Sequence, residues 1–266
     1  MKYISGNSLR LPKRKKDSKK GDNGKVLVIG GSEQYVGALA LAGMAALRSG
    51  ADWVTVIAPE KVGWAVNCLS PDLVVQKYKS AYFRKKHVSH FLAAESKYDV
   101  VLLGNGIGRK SDKFVRSYAK QSKKPMVIDA DAIRALSLED VNNSIITPHK
   151  KEFATLMKNS QVSSGEVLQK SLRNNVIILK GKTDQIMYKG EILYNKTGNA
   201  GMTKAGTGDV LAGLAAGFYA QAKNALEAAK LAAYYNGLIG DILLKRKKGF
   251  TYLASDMVNE IKRVCN

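Results

Sequence analysis

Cysteine, histidine and acidic residues are all scarce in this chain of 266 residues. Cys68 and Cys265 are its only cysteines and stand far apart, so no disulfide framework and no metal-ligand spacing is visible. That usage suits a reducing compartment. There are three histidines: His87 and His90 fall in a basic polar helix without evident partners, and His149 lies just past a strand end. Asp and Glu total 22 against 43 Lys and Arg, a formal charge of +21. Such a surface draws anions, whether nucleotides, phosphorylated metabolites or nucleic acid, without choosing among them. No basic stripe interleaved with aromatics and no nucleic-acid motif is present, so a nucleic-acid partner is not expected. Long apolar runs are missing too. Val210 to Ala220 is the most apolar stretch, too short and too glycine-rich to cross a bilayer. Met1 to Gly6 carries no apolar signal core. The expectation is a soluble cytoplasmic protein with no membrane partner.

What the chain does have is alternation. Strands are expected at Lys25–Ile29, Trp53–Ala58, Leu73–Val75, Val100–Leu103, Pro125–Asp129, Ser144–Thr147 and Val176–Leu179, with Lys25–Ile29, Val100–Leu103 and Val176–Leu179 of the buried type. Helical patterns separate them, and Gln185–Tyr188 with Glu191–Tyr194 reads as a late β-hairpin. Long helices are expected over residues 224–244 and 254–264. This predicts a doubly wound α/β fold with about seven parallel-type strands, as one domain over residues 1–266. Residues 1–18 form a basic lead-in, and the basic stretch 11–24 is either mobile and solvated or an arm facing anions. Gly30-Gly31-Ser32 closes the first strand, but the glycines from Gly30 to Gly37 do not fit the Gly-x-Gly-x-x-Gly dinucleotide fingerprint.

In such sheets ligands bind beyond the C-terminal strand ends. Gly104-Asn105-Gly106-Ile107-Gly108, Asp129, His149 and Lys180 all fall there, as does Gly31. Asp129 could help hold Mg²⁺ or orient a hydroxyl, while Asp131 reads as the cap of the helix that follows. These sites converge on Ala205-Gly206-Thr207-Gly208-Asp209, a turn that opens the apolar helix from Val210. The first N–H groups of a helix lack intrahelical partners and sit at its positive end, which makes an anion hole. Asp209 at its mouth is either a general base for a substrate hydroxyl or only a favourable charge in the first turn. The convergence favours the base.

These residues resemble the ADP-dependent NAD(P)H-hydrate dehydratases, a branch of the ribokinase-like superfamily. The likeness rests on Lys20-Gly21 through Gly24 to Ser32, Tyr35 to Ala38 with Ala46 to Ala51, Val127 to Ala132, Thr147-Pro148-His149 with Glu152-Phe153, Leu179-Lys180-Gly181, and Thr197 to Gly213. It implies a three-layer α/β/α fold with a mostly parallel central sheet. It also implies a reaction: the hydroxyl of S-configured hydrated NADH or NADPH (NADHX, NADPHX) is phosphorylated by ADP, leaving AMP, or by ATP, leaving ADP, and phosphate is then eliminated, giving NAD(P)H. By motif, Ala38, Gly106, His149 and Asp209 should line the hydrate site. Lys180, Gly181, Lys182, Thr183, Asp184, Gly206, Thr207 and Gly208 should meet the nucleotide, with Asn199, Asp129 and Glu152 in support. No resident protein-held metal is expected, but Mg²⁺ should accompany the phosphates, and a homo-oligomer is implied. The epimerase domain fused to many relatives is absent, so action on one epimer is expected. Lys19, Asn105, Lys150-Lys151 and Asp184 depart from the usual family pattern. The competing readings are an alcohol kinase of the same superfamily, against which His149 and Asp129-Ala130-Asp131 argue, and a nucleic-acid-binding protein.

Overall fold

Two apolar cores, one on each face of a single sheet, account for the continuous hydrophobic runs. The computed structural model describes residues 1–265. Its strands are β1 (Lys2–Tyr3), β2 (Lys25–Ile29), β3 (Trp53–Pro59), β4 (Val74–Tyr78), β5 (Val100–Leu103), β6 (Met126–Ile128), β7 (Ser144–Ile146), β8 (Val176–Leu179), β9 (Asp184–Tyr188) and β10 (Glu191–Asn195). In β2, Val26 and Val28 enter one core while Leu27 and Ile29 enter the other. β5 divides Val100 and Leu102 from Val101 and Leu103 in the same way. With both faces covered, neither side of these strands needs a polar residue.

The helices are α1 (Val36–Arg48), α2 (Glu60–Leu69), α3 (Val88–Glu95), α4 (Asp112–Gln121), α5 (Asp131–Ala135), α6 (Lys150–Asn159), α7 (Gly165–Leu172), α8 (Thr207–Ala222), α9 (Ala225–Arg246) and α10 (Ala254–Val264). α1, α2, α8, α9 and α10 contribute to the first core and α3 to α7 to the second, which makes three layers. α8 is apolar nearly all round because it runs through the middle of its layer. A methyl group added at Gly213 would lie 2.2 Å from the Ala42 carbonyl oxygen of α1, so the two helix backbones touch there.

The sheet has ten strands in the order β1-β10-β9-β8-β7-β6-β5-β2-β3-β4. β8 through β4 run parallel, and β9 is antiparallel to both β8 and β10. The chain first builds outward through β2, β3 and β4, then returns to place β5 on the other side of β2. The order therefore reverses between β2 and β5, where a doubly wound sheet opens its ligand crevice. The expected hairpin is present, its turn made by Lys189 (φ 41°) and Gly190 (φ 85°).

The basic lead-in is exposed over residues 13–17 and is anchored on either side. It packs on the protein: β1 pairs with β10, Leu9 joins the first core, and Arg14 pairs with Asp52. Asp52 also accepts the N–H groups of Gly21 and Asn23, at 2.8 and 3.0 Å. Those hydrogen bonds and Arg14 outweigh the effect of burial and hold its pKa below the ordinary value. This anchor lies beside the start of β3, at the end of the sheet opposite the crevice, so the segment does not arch over a ligand there. His87 also has partners after all. It is buried, its Nδ1 accepts the Arg84 N–H at 3.1 Å, and its ring lies 4.8 Å from that of Tyr78.

Candidate active site

At the reversal the ends of β2 and β5 lock together through backbone. The Gly31 N–H donates to the Asn105 carbonyl at 2.9 Å, and a methyl group at Gly30 would lie 2.4 Å from that oxygen. Gly104 has φ 124°, and a Cβ there would come within 2.1 Å of the Asp129 carbonyl oxygen, so only glycine fits. A Cβ on Gly106 would lie 2.8 Å from that of Tyr35 and 3.5 Å from that of Ala38. The turn after β5 thus faces the start of α1, and Gly106 stands beside Ala38.

Behind this turn lies a cluster of charges. Asp129, just past β6, is 2% exposed. Its carboxylate accepts from Thr147 Oγ1 at 2.7 Å, Asn105 Nδ2 at 3.0 Å and Lys180 Nζ at 3.1 Å. Lys180, just past β8, also lies 3.9 Å from Glu152 of α6. Burial alone would discharge the ammonium. Asp129, then Glu152 and Asp209, outweigh burial and raise the Lys180 pKa above its ordinary value.

Asp209 completes the cluster from α8. Gly206 caps that helix with φ 93°, where a Cβ would lie 2.7 Å from Leu41 Cδ1. Thr207 Oγ1 donates back to the Met202 and Lys204 carbonyls, which tightens the turn. Val210 N–H bonds the Gly206 carbonyl at 3.1 Å. The N–H groups of Gly208 and Asp209 find no acceptor among the described residues. They remain open donors at the positive end of the helix. Gly208 faces Lys180, whose Nζ would lie 3.5 Å from an added Cβ. The Asp209 carboxylate accepts from Asn105 Nδ2 at 2.7 Å. Burial, followed by the nearby Asp129 charge, pushes its pKa up to about 7 against the pull of Asn105 and Lys180. A carboxylate poised near neutrality beside open N–H donors is suited to taking a proton from a hydroxyl next to a phosphoryl group.

The remaining sequence candidates divide. His149 is the N-cap of α6. Its Nδ1 accepts the N–H groups of Lys151 and Glu152 at 3.1 and 3.2 Å, which places the ring proton on Nε2. Glu152 closes the capping box by accepting the His149 N–H at 2.8 Å, and burial raises its pKa against the effect of Lys180. His149 thus caps its own helix, with Nε2 3.4 Å from Glu152 Oε1 at the site's edge.

Gly181 and Lys182 are exposed on the loop after β8. Asp184 turns inward onto the Gly181 N–H and the Asn195 amide, at 3.0 and 3.1 Å, so it shapes that loop and presents no free carboxylate. Asn199 is taken up by Gly201, Tyr252 and Asp241. Asp131 is not a cap. The N-cap of α5 is Ala130, with φ 51°, and Asp131 accepts the Gly108 N–H at 2.9 Å while pairing with Arg134. Among the described residues no three His, Cys, Asp or Glu side chains converge as a metal cage. Lys180, Asn105 and Thr147 occupy the Asp129 carboxylate. These residues do not fit a resident divalent ion.

Asn105 stood out in the sequence only as a departure from the family pattern, and nothing in its neighbours signals that its amide reaches Asp209, far along the chain.

A family model described as NAD(P)H-hydrate dehydratase matches residues 26–263, which takes in the crevice, the charge cluster and the α8 turn. The chain belongs to the NAD(P)H-hydrate dehydratase family. It is 41% identical to the bifunctional NAD(P)H-hydrate repair enzyme Nnr of Methanothermobacter thermautotrophicus, over 97% of this chain and 53% of that protein. The chain spans about half the length of that relative and of others like it. It is 35% identical to the ADP-dependent (S)-NAD(P)H-hydrate dehydratase of Nitrosopumilus maritimus, over 96% of this chain and 92% of that one. Among solved structures it is similar to a ribokinase-like superfamily protein of Enterococcus faecalis, with a TM-score of 0.85, 28% identity, and 99% and 95% of the two chains covered. A Bacillus subtilis ADP/ATP-dependent NAD(P)H-hydrate dehydratase, co-crystallised with ATP/Mg²⁺ and soaked with CoA, shares the fold at a TM-score of 0.78 and 22% identity, covering 100% and 99%. The dehydratase family's ribokinase-like, three-layer architecture is thus the architecture of this chain.

Proposed function

We propose that this chain dehydrates the S epimer of hydrated NADH or NADPH using ADP, or ATP, as phosphoryl donor. The observation that carries this reading is the Asp209 carboxylate, poised at about 7 beside the open N–H groups of Gly208 and Asp209. The named activity of relatives that match nearly the whole chain supports it.

In this reading the nucleotide phosphates lie at the N-terminus of α8, between Gly208 and Lys180, with the Lys180–Thr183 loop and the Gly206–Thr207 turn around them. The nicotinamide hydrate lies over Ala38 and Gly106, with His149 at the edge. Asp209 removes the hydroxyl proton as the oxygen attacks the terminal phosphorus, and with ADP the leaving group is AMP. The open N–H groups stabilise charge on the moving phosphoryl group. Phosphate then departs with the C–O bonding pair while the ring loses a proton, which restores the double bond of NAD(P)H. Mg²⁺ carried on the nucleotide would neutralise phosphate charge.

Phosphorus NMR of a reaction containing NADHX and ADP tests the chemistry. AMP and inorganic phosphate should appear one for one with NADH. A persistent phosphorylated alcohol without NADH would instead make the chain a kinase.

Gly208 separates structure from function. Its added Cβ meets only Lys180 Nζ, at an ordinary 3.5 Å. In the first turn of α8, alanine should favour the helix by up to about 1 kcal/mol. Gly208→Ala should therefore keep or raise the melting temperature. It should weaken nucleotide binding by about tenfold, because the methyl group fills the approach to the open N–H groups. Calorimetric titration with ADP checks this, and unchanged affinity would remove the phosphates from this turn.

A further inference from the structure

We propose that Asn105 is a positioning residue: its single amide nitrogen clamps Asp129 and Asp209 together and reserves the free oxygen of Asp209 for proton transfer. The inference rests on the reading of Asp209 as the base.

Nδ2 lies 2.7 Å from Asp209 Oδ1 and 3.0 Å from Asp129 Oδ2. An amide NH₂ has two hydrogens, and each carboxylate takes one. Asp209 Oδ1 is thereby occupied, and Oδ2 has no hydrogen-bond partner among the described residues. The clamp therefore selects which oxygen exchanges the proton and in which direction it points.

The other end of the amide supports this assignment. Asn105 is fully buried, and its Oδ1 has no partner. Turning the amide over would set Oδ1 against two carboxylates, so their charges fix its orientation. An unpaired buried acceptor is unfavourable, and a side chain kept for packing alone would be apolar there. The orphaned oxygen is what remains when a residue is retained for its donor end. The mount is rigid as well. The Asn105 carbonyl accepts the Gly31 N–H at 2.9 Å, and Gly30 packs against it, so the amide is aimed from the junction of β2 and β5.

Asp209 is faced by Asp129 from the end of β6, Lys180 from the end of β8 and Asn105 from the end of β5. Glu152 and, behind it, His149 stand one step further out, on the far side of Lys180. Asn105 is the neutral donor in this set. Its loss leaves Asp129 and Asp209 to repel each other with Lys180 alone between them.

The experiment is a titration of the Asp209 carboxyl by carbon NMR in the wild type and in Asn105→Leu, with no substrate present, together with pH profiles of kcat. In the wild type the Asn105 side-chain N–H resonances should move with the Asp209 titration. In Asn105→Leu the Asp209 midpoint should rise by about one to two pH units, as expected for a lost hydrogen bond to a charged group. The acidic limb of kcat should rise with it, while KM for ADP stays within about twofold. A fall in melting temperature with an unmoved midpoint and limb would overturn the proposal. So would wild-type Asn105 resonances indifferent to the titration, a measurement that needs no variant to fold. Asn105→Ser, which keeps one donor, should fall between. Because the titration is read without substrate, an inactive wild type would defeat the dehydratase reading while the clamp still stood or fell on its own result.

Discussion

Asp209→Asn should lower kcat by about 10²- to 10⁴-fold, the range lost with a general base, while ADP binding is retained. The substitution is isosteric, and its amide oxygen can still accept from Asn105 Nδ2, so the cluster's geometry survives. What disappears is the only group in the cluster that is both poised near neutral pH and adjacent to open N–H donors. Full activity in the variant would exclude Asp209 as the base. The same substitution should stabilise the fold. A carboxyl raised from 3.8 to about 7 keeps its proton in the folded state where the unfolded chain has released it. Wild-type stability therefore falls as pH rises from about 4 to 7 and is flat above that. Asparagine removes this loss, so the variant should match the wild type near pH 4 and exceed it at pH 8, by no more than about 4 kcal/mol. Denaturant melts of both proteins at the two pH values measure the difference. A gap that does not grow with pH would show that Asp209 is not held out of its charged form.

Lys180→Met should be the most destabilising single change in the site, at about 3–5 kcal/mol, the usual consequence of leaving a buried charge without its partner. Lys180 sits between Asp129, at 3.1 Å, and Glu152, at 3.9 Å, and its charge also reaches Asp209. Methionine keeps the stem and removes the cation. The loss should shrink at low pH, where the stranded carboxyls can take up protons. Adding Asp129→Asn should recover much of it, because the amide can still accept from Thr147 without carrying a charge. Guanidinium unfolding of the wild type, both single variants and the double variant yields the coupling. A single-variant loss under about 1 kcal/mol would mean that Lys180 is solvated and not part of the buried cluster.

The strand and helix pattern was readable because the inner parallel strands, β2, β3 and β5 to β8, are buried on both faces, whereas the edge strand β4 is partly exposed. Val26 to Ile29 and Val100 to Leu103 could be read as runs, and the alternation between two cores needed no polar marker. The sheet order was not readable in detail, since nothing in β1 announces that Lys2 and Tyr3 pair with β10. The anchoring of the lead-in was not readable for a related reason. Lysine content dominates its pattern, whereas its order comes from single contacts, Arg14 with Asp52 and Lys20 over the Trp53 ring at 4.4 Å.

In the site, the gathering of glycine turns and carboxylates at strand ends was readable, because chain order and the rule of C-terminal strand ends are enough to bring them together. Their division of labour was hidden. His149 was read as a site residue and Asp131 as a helix cap, and side-chain geometry adds what neither reading held: His149 caps its own helix, while Asp131 reaches across to Gly108. Asn105 was hidden more thoroughly, because a contact between residues 104 positions apart leaves no mark on either neighbourhood.

The most direct measurement is recovery of NADH absorbance when the purified chain is mixed with NADHX, Mg²⁺ and ADP or ATP. The account predicts recovery that requires the nucleotide, stops when the S epimer is consumed, and fails with Asp209→Asn. Nucleotide-dependent consumption of an alcohol with no return of NADH, or recovery undiminished in Asp209→Asn, would contradict it.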